Sequence, residues 1–312
     1  MTGKITSPDG RAWSLPQLLS YRVEWSDGRA CDAIELEFPV RAEDAAALET
    51  VTRVWAYEAD RTVFCGVVDE VTVTLDARGR TANLSGRGLG ARLRDNQVRA
   101  NTYQKATIGD ILSLYATPYG IFRTDGAITN AVSSFAVDSG DTAWQALSGF
   151  CRHAAGRVPY FSPDGTLMLG PPETRPSLSI SDEGVISAEA RTCWYGVLTE
   201  QVTVDRSSGR QTVEQNAEFI KAGGFARRVT ARGGELVHAS EKTAAQRVAE
   251  SAESWKTLSV TLPGNFLAEV GQLADVQLQN LGVSGRFRVT DVTSVLDPGG
   301  ACCTIGLRKE NV

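Results

Sequence analysis

Polar and apolar residues alternate with a period of two through Tyr21-Arg22-Val23-Glu24-Trp25. After a break at Asp27-Gly28 the alternation resumes in Ala33-Ile34-Glu35-Leu36-Glu37-Phe38. Successive side chains of an extended strand point to opposite faces, so each stretch predicts a strand with one buried and one wet face. Ile5 to Leu15, with a turn at Ser7-Pro8-Asp9-Gly10, is also strand-like, as are Arg53 to Tyr57, Val63 to Leu75 and Thr81 to Ser85. The last two are joined through Asp76-Ala77-Arg78-Gly79, and one short Ala-rich helix, Glu43 to Thr50, interrupts the series. Strands this dense, joined by short turns rich in Gly, Pro and Asp, predict a small barrel or sandwich.

The pattern changes near Gly86. Gly88 to Asp95 reads as a helix, and Thr107-Ile108-Gly109-Asp110 has the spacing of a capping box opening a helix over Ile111 to Ala116, stopped by Pro118 and Gly120. A second helix, expected to be capped by Asp141, carries Trp144, Leu147, Phe150, Cys151 and Ala154 on one face and ends at Gly156. Tyr160 to Leu169 reads as a hairpin, and Pro171-Pro172-Glu173-Thr174-Arg175-Pro176 as a stiff border. The expected organisation is a β-domain over residues 1–95, an α/β unit over 96–176 and a second β-domain over 177–312.

Beyond the border, strands are predicted at Val197 to Val204, Gln211 to Val213, Gln272 to Gln279, Arg286 to Leu296 and Cys302 to Arg308. A turn is predicted at Ser207-Ser208-Gly209, and a helix capped by Ser240 runs to about Trp255, with Ala245, Val248, Ala249 and Ala252 on one side. Glu70-Val71-Thr72-Val73-Thr74-Leu75-Asp76 is echoed by Asp291-Val292-Thr293-Ser294-Val295-Leu296-Asp297, each followed by a Gly-containing turn. The echo agrees with a duplicated β-domain flanking an insert.

Composition narrows the function classes. A chain of 312 residues fits two or three domains, and 42% hydrophobic residues exclude wholesale disorder. A net charge of −5 argues against tight nucleic-acid binding, which needs a basic stripe. No apolar run is long enough to span a bilayer, and MTGKITSPDG lacks a signal core, so synthesis in the cytoplasm without secretory export is expected. Cys31, Cys65, Cys151, Cys193, Cys302 and Cys303 show no CxxC spacing and read as small reduced hydrophobes, not a zinc site or disulfide scaffold.

No reaction centre emerges. His153 and His238 are far apart in sequence, without an adjacent Cys/Asp/Glu constellation, and read as structural. Gly86-Arg87-Gly88-Leu89-Gly90 departs from both phosphate-loop fingerprints and reads as a glycine-rich strand exit. Asp138 and Asp141 could form a glycosidase pair, but a capping role for Asp141 removes half of it. Ala91-Arg92-Leu93-Arg94-Asp95 and Arg227-Arg228 read as solvated or contact faces, and Trp13, Trp25 and Trp55 as core packing in preference to a sugar groove. Catalytic, cofactor-binding and metal-binding residues are all expected to be none.

Eight fragments occur in the order found in one family. They are Cys31-Asp32-Ala33-Ile34-Glu35-Leu36, Val63-Phe64-Cys65-Gly66-Val67-Val68-Asp69-Glu70, Leu84-Ser85-Gly86-Arg87-Gly88 and Leu93-Arg94-Asp95-Asn96. Ala106 to Leu112, Pro118-Tyr119-Gly120-Ile121, Asp141 to Leu147 with Phe150-Cys151, and Pro163-Asp164-Gly165-Thr166-Leu167 complete the set. The chain resembles the central baseplate hub proteins of phage tails and phage-tail-like particles, the late control D family. The last third, with Val260-Thr261-Leu262-Pro263-Gly264 and Val270-Gly271-Gln272, matches more loosely, Gln272 standing where the family often has Asp.

The resemblance implies a mainly β chain with an α/β insert: two tail-tube-like β-barrels flanking a small α/β domain, assembled as a homotrimer. The trimer would adapt a sixfold tail tube to a threefold spike. Its partners would be the tail tube protein, the spike or tip protein, other baseplate proteins and the tape measure protein, without sequence-specific nucleic-acid binding or a membrane segment. The expected location is the tail or baseplate of a particle assembled in the bacterial cytoplasm. Negative charges facing the channel, Glu35 and Glu37 among them, would repel passing DNA. The competing classes are a tail-associated peptidoglycan hydrolase and a carbohydrate-binding adhesin.

Overall fold

A computed structural model of the chain describes residues 1–77, 79–171, 175–234 and 236–310. Strands β1 (Thr2–Thr6) and β2 (Ala12–Ser14) form the hairpin expected around Ser7 to Gly10, and β3 (Ser20–Ser26) and β4 (Ala33–Pro39) match the two alternating stretches. The predicted helix over 43–50 contracts to a 3-10 turn and the single turn α1 (Ala45–Leu48). Strands β5 (Arg53–Glu58), β6 (Arg61–Asp76) and β7 (Gly79–Gly88) complete the first half, in the order β3-β4-β7-β6-β5-β1-β2. The predicted turn between β6 and β7 includes Arg78, outside the described residues.

These strands share one cluster, which includes Ile5, Val23, Ile34, Leu36, Phe38, Val54, Val63 and Leu84, with Trp13 of β2 packed against it. A sheet whose strands share one interior is curled around it. The helix expected over Gly88 to Asp95 shrinks to one turn, α2 (Ala91–Arg94). Close backbone approach is the reason for the glycines here: a Cβ on Gly90 would lie 1.7 Å from the Ala30 carbonyl oxygen, and one on Gly86 2.4 Å from that of Val67. The glycine run is a strand exit, as its spacing implied.

The α/β unit follows: β8 (Asn101–Ala106), α3 (Ile108–Tyr115), β9 (Thr124–Asp125), β10 (Val132–Val137), α4 (Ala143–Ala155), β11 (Tyr160–Phe161) and β12 (Leu167–Met168). Thr107 and Asp110 form the expected capping box. At α4 the cap is Thr142, boxed with Gln145, and not Asp141; the buried Asp141 carboxylate instead accepts the Asp138 N–H at 2.9 Å. The apolar face of α4 packs Leu147, Phe150 and Cys151 against Phe135, whose ring meets Phe150 edge-on at 5.8 Å. In the expected border, residues 172–174 lie outside the described residues.

The remaining chain forms β13 (Leu178–Ser181), β14 (Ser187–Thr192), β15 (Glu200–Asp205), β16 (Gln211–Gln215), α5 (Ala217–Lys221), β17 (Arg228–Gly233) and β18 (Val237–His238). Then come α6 (Ala244–Ser251), β19 (Lys256–Pro263), β20 (Leu273–Leu278), β21 (Val283–Asp297) and β22 (Gly300–Lys309). Thr243, boxed with Gln246, caps α6 in place of Ser240, and the helix stops at Ser251, beyond which the buried Trp255 packs edge-on against Phe219. Strands β15–β17 make a separate small sheet, and β18 adds to β10 of the α/β unit, although Glu235 of its expected approach lies outside the described residues. Ile180, Leu258, Val260, Val276, Phe287, Val292 and Ile305 form a second core.

The sheet order β14-β19-β22-β21-β20-β13 repeats β3-β4-β7-β6-β5-β1 strand for strand. The echoed segments occupy equivalent places: Glu70 to Asp76 pairs with Ser85 to Gly79, and Asp291 to Asp297 pairs with Gly306 to Gly300. Each strand has a register shift just before its echo, at Asp69 and at Thr290. Gly79 and Gly300 take matching left-handed φ values of 121° and 114° at the same hairpin position. Pro39 and Pro263 end equivalent strands, opposite Thr81 and Cys302. The copies differ in that β1 runs antiparallel to β5 whereas β13 runs parallel to β20, and in the long excursion between β14 and β19.

The chain is therefore mainly β, two similar halves flanking an α/β unit. Among the described residues neither half closes its hydrogen-bond ladder on itself; β3 pairs with β21, and the two halves merge into one 13-stranded sheet. Gly90→Ala should lower stability by about 1–3 kcal/mol, because the carbonyl it strikes belongs to backbone. Gly109→Ala, on α3 with no atom nearer than 3.8 Å to the added carbon, should raise it by about 0.5–1 kcal/mol. Denaturant midpoints of the two variants check both signs.

Candidate functional site

The side chains that might have formed a reaction centre are each engaged structurally. His238 and Asp138, 100 positions apart, meet at 2.8 Å between Nδ1 and Oδ2, a pairing that sequence spacing did not reveal. His153 lies against the same loop, its Nε2 3.2 Å from the Glu241 carbonyl oxygen, and burial lowers its pKa. A carbonyl oxygen only accepts, so the His153 Nε2 carries the proton. With Asp138 bound to His238 and Asp141 to backbone, neither carboxylate of the supposed glycosidase pair is uncommitted.

Arg87 forks between Asp69 and Asp95, with contacts of 2.7–3.0 Å, and Arg228 pairs with Glu200, so these arginines serve internal contacts. The tryptophans do not share a groove. Trp13 packs on the first β core and Trp55 on the α/β core. Trp25 bridges the two β cores, donates from Nε1 to the Val63 carbonyl at 3.1 Å and meets Phe266 edge-on at 5.6 Å. All six cysteines are free thiols; Cys65, Cys151 and Cys303 are buried as expected, whereas Cys31, Cys193 and Cys302 are only half-buried.

Two larger features remain. An open cleft of about 1780 Å³ separates the β halves from the α/β unit, lined by Trp25, Asp32, Phe64, Arg123, Trp144 and Arg288 among others. Its charges are largely paired within the chain: Arg123 with Asp164 at 2.5 Å, Arg61 with Glu269 at 2.5 Å and Arg288 with Glu310 at 2.6 Å. Among the described residues no three His, Cys, Asp or Glu side chains are grouped to hold a metal ion. No helix among them is long and apolar enough to cross a membrane.

The second feature is the sheet face turned away from both cores. Across adjacent strands it presents Glu70, Ser85, Glu35 and Arg22 in one row and Thr72, Asn83 and Glu37 in the next. In the second half it carries Asp291, Thr293, Thr304, Thr261 and Ser259. Period-two alternation put Glu35 and Glu37 on this wet side, and Ser20 Oγ donates to Glu37 at 2.8 Å. The face runs over both halves without interruption because β3 and β21 are hydrogen-bonded neighbours. It is largely polar and bears several acids.

Residues 93–171 match the family model described as baseplate hub protein gp44-like, second domain. A tail protein from Neisseria meningitidis MC58 superposes with a TM-score of 0.78 at 17% identity, covering 99% of this chain and 96% of its own. The fold is that of a phage tail protein, with a hub-type second domain. The 43 kDa tail protein of prophage MuSo2 from Shewanella oneidensis gives 0.75 at 16% identity, covering 99% and 98%. The E. coli c3393 protein, a type VI secretion component similar in structure to T4 tail proteins gp27 and gp5, gives 0.55 at 10% identity over 95% and 74%. No curated protein matches the sequence.

Within this tail-protein fold Asp32, from the Cys-Asp run that carried the resemblance, sits where β3 turns into β4. Its carbonyl accepts the Gly88 N–H at 2.9 Å, and burial pushes its carboxyl up to about 7, against the opposing pull of the Ser26 backbone and Arg29. The folded protein therefore holds a proton on Asp32 that the unfolded chain releases near its ordinary value of 3.8, and the associated stability declines as pH rises from about 4 to about 7. Asp32→Asn should match the parent near pH 4 and exceed it by about 1–3 kcal/mol at pH 8 in denaturant titrations. A constant difference at all pH values would refute the assignment.

Proposed function

We propose that this chain is a structural, non-enzymatic hub of a phage-type tail baseplate. It works as a homotrimer whose ring forms part of the central channel and joins a sixfold tail tube to a threefold spike or tip. The observation carrying this reading is the duplication: two β halves of one strand order, fused edge to edge, let three chains offer six similar units. Similarity to tail proteins over 99% of the chain supports it. The domains of the hub are residues 1–95, 96–176 and 177–312, the middle one containing most of the segment that matches the gp44-like hub domain.

The work is done by surfaces. A ring presents tube, spike and neighbouring baseplate proteins, with the tape measure protein, to one axis, and it resides in the tail of a particle assembled in the bacterial cytoplasm. The polar face with Glu35 and Glu37 lines the channel, where acids repel the phosphate backbone and leave passing DNA unbound. The purified chain should form a trimer by native mass and bind a tail tube protein, and it should leave peptidoglycan uncleared in a zymogram. A clearing zone, or a monomer that ignores the tube, would overturn the reading. Particles carrying Glu35→Lys with Glu37→Lys should eject DNA more slowly, the more so at low salt, while retaining assembly; unchanged ejection would remove those two residues from the channel wall.

A further inference from the structure

Two of the strand edges that have no strand partner among the described residues of the main sheet together repeat a contact the chain already makes with itself. Strand β21 divides its pairing: Val283 to Arg288 pairs with β20, and beyond the irregularity at Thr290, Asp291 to Leu296 pairs with β3. Strand β6 is its counterpart, and its first part pairs with β5 as far as Val67. Beyond Asp69, however, the side equivalent to the one β3 covers on β21 is open. The counterpart of β3 is β14, which pairs with β19 on one side and with no strand on the other.

We infer that the outer edge of β6, Glu70 to Leu75, pairs antiparallel with the outer edge of β14, Ala188 to Cys193, of a second copy of this chain. This deepens the hub reading by naming the contact between copies; it relies on that reading only for the number of copies that close the ring.

The register follows from the duplication. Aligning the two halves through their shared ladders equates Asp291–Leu296 with Glu70–Leu75, and Tyr21–Ser26 with Ala188–Cys193. The observed pairs Leu296–Tyr21, Ser294–Val23 and Thr293–Glu24 then become Leu75–Ala188, Val73–Ala190 and Thr72–Arg191. The two edges stand at opposite ends of the eight-strand run β14-β19-β22-β21-β3-β4-β7-β6, so the contact is head to tail between copies.

Side-chain chemistry agrees. Leu75 is 70% exposed and Val73 39%, large apolar residues on a bare strand edge, whereas Leu296, the counterpart of Leu75, packs against the first core. Exposed apolar edges of this kind template pairing with another chain. Glu70 would come diagonally across from Arg191, an attraction, where the intramolecular counterparts Asp291 and Glu24 repel. A head-to-tail contact produces a closed ring when its rotation divides a full turn and an open filament when it does not.

Paired cysteines test the register directly. Val73→Cys with Ala190→Cys should yield disulfide-linked multimers under mild oxidation, several-fold more than either single variant or the one-residue-shifted pair Val73→Cys with Glu189→Cys. Both target positions are exposed, so folding should survive. Native mass is measured on the same samples. A trimer with the matched linkage supports the inference; a trimer without it overturns the edge pairing and leaves the hub reading intact. Linkage into open-ended chains supports the pairing and contradicts the closed trimer. Absence of both linkage and association overturns the pairing, while tube binding by the same protein judges the hub reading separately.

Discussion

The architecture depends on one strand that changes partners. In β21 the irregularity at Thr290 ends pairing with β20 and redirects the chain onto β3, and the Thr290 carbonyl accepts the Asp27 N–H at 2.7 Å at the crossing. A bulge adds a residue to one strand, bends it and sharpens its twist. Here that bend converts two similar curled sheets into a single sheet. Because backbone hydrogen bonds specify the register, the halves have no freedom to rotate like beads on a linker. Side-chain alternation adds to this, since a one-residue slip would reverse inside and outside. Trp25 closes the joint from behind, touching both β cores and the ring of Phe266.

From this joint the other features follow. A continuous sheet has a continuous outer face, and the polar side chains on it pass from one half to the other without a seam. The α/β unit packs against the first half through Cys65, Leu89 and Trp55, and its core, built from α3, α4 and β10, is completed by Ala239 and Val237 from the last third of the chain. The open cleft between them is lined by ion pairs, and the carboxyl there with a strongly raised pKa, Asp32, lies at a strand turn beside the Cys31 thiol, whose own pKa burial also raises; no metal-holding group of side chains occurs among the described residues.

Much of this was legible from one-dimensional patterns, because strands write their facing into alternate residues. Tyr21 to Phe38 and the repeated Val-Thr-x-x-Leu-Asp string revealed the β halves and their duplication. The capping box at Thr107 was equally local and equally visible. Some of what escaped was local, and the rest was decided by contacts distant in sequence. Asp141 and Ser240 are good capping residues by type, yet Thr142 and Thr243 took the role because Gln145 and Gln246 stand three residues on and complete the boxes. The His238–Asp138 contact joins segments brought side by side by the parallel pairing of β18 with β10, which leaves no trace in local spacing. The halves' fusion through β3 and β21 was likewise invisible, since nothing in either strand names its partner.

The rigid fusion of two equivalent halves is most directly tested by electron cryomicroscopy of the proposed trimeric ring viewed down its axis. Six β units at equal radius and near-equal angular spacing are expected, with the β3–β21 ladder intact within each chain. Halves at two different radii, or a hinge opening between β3 and β21, would contradict the account.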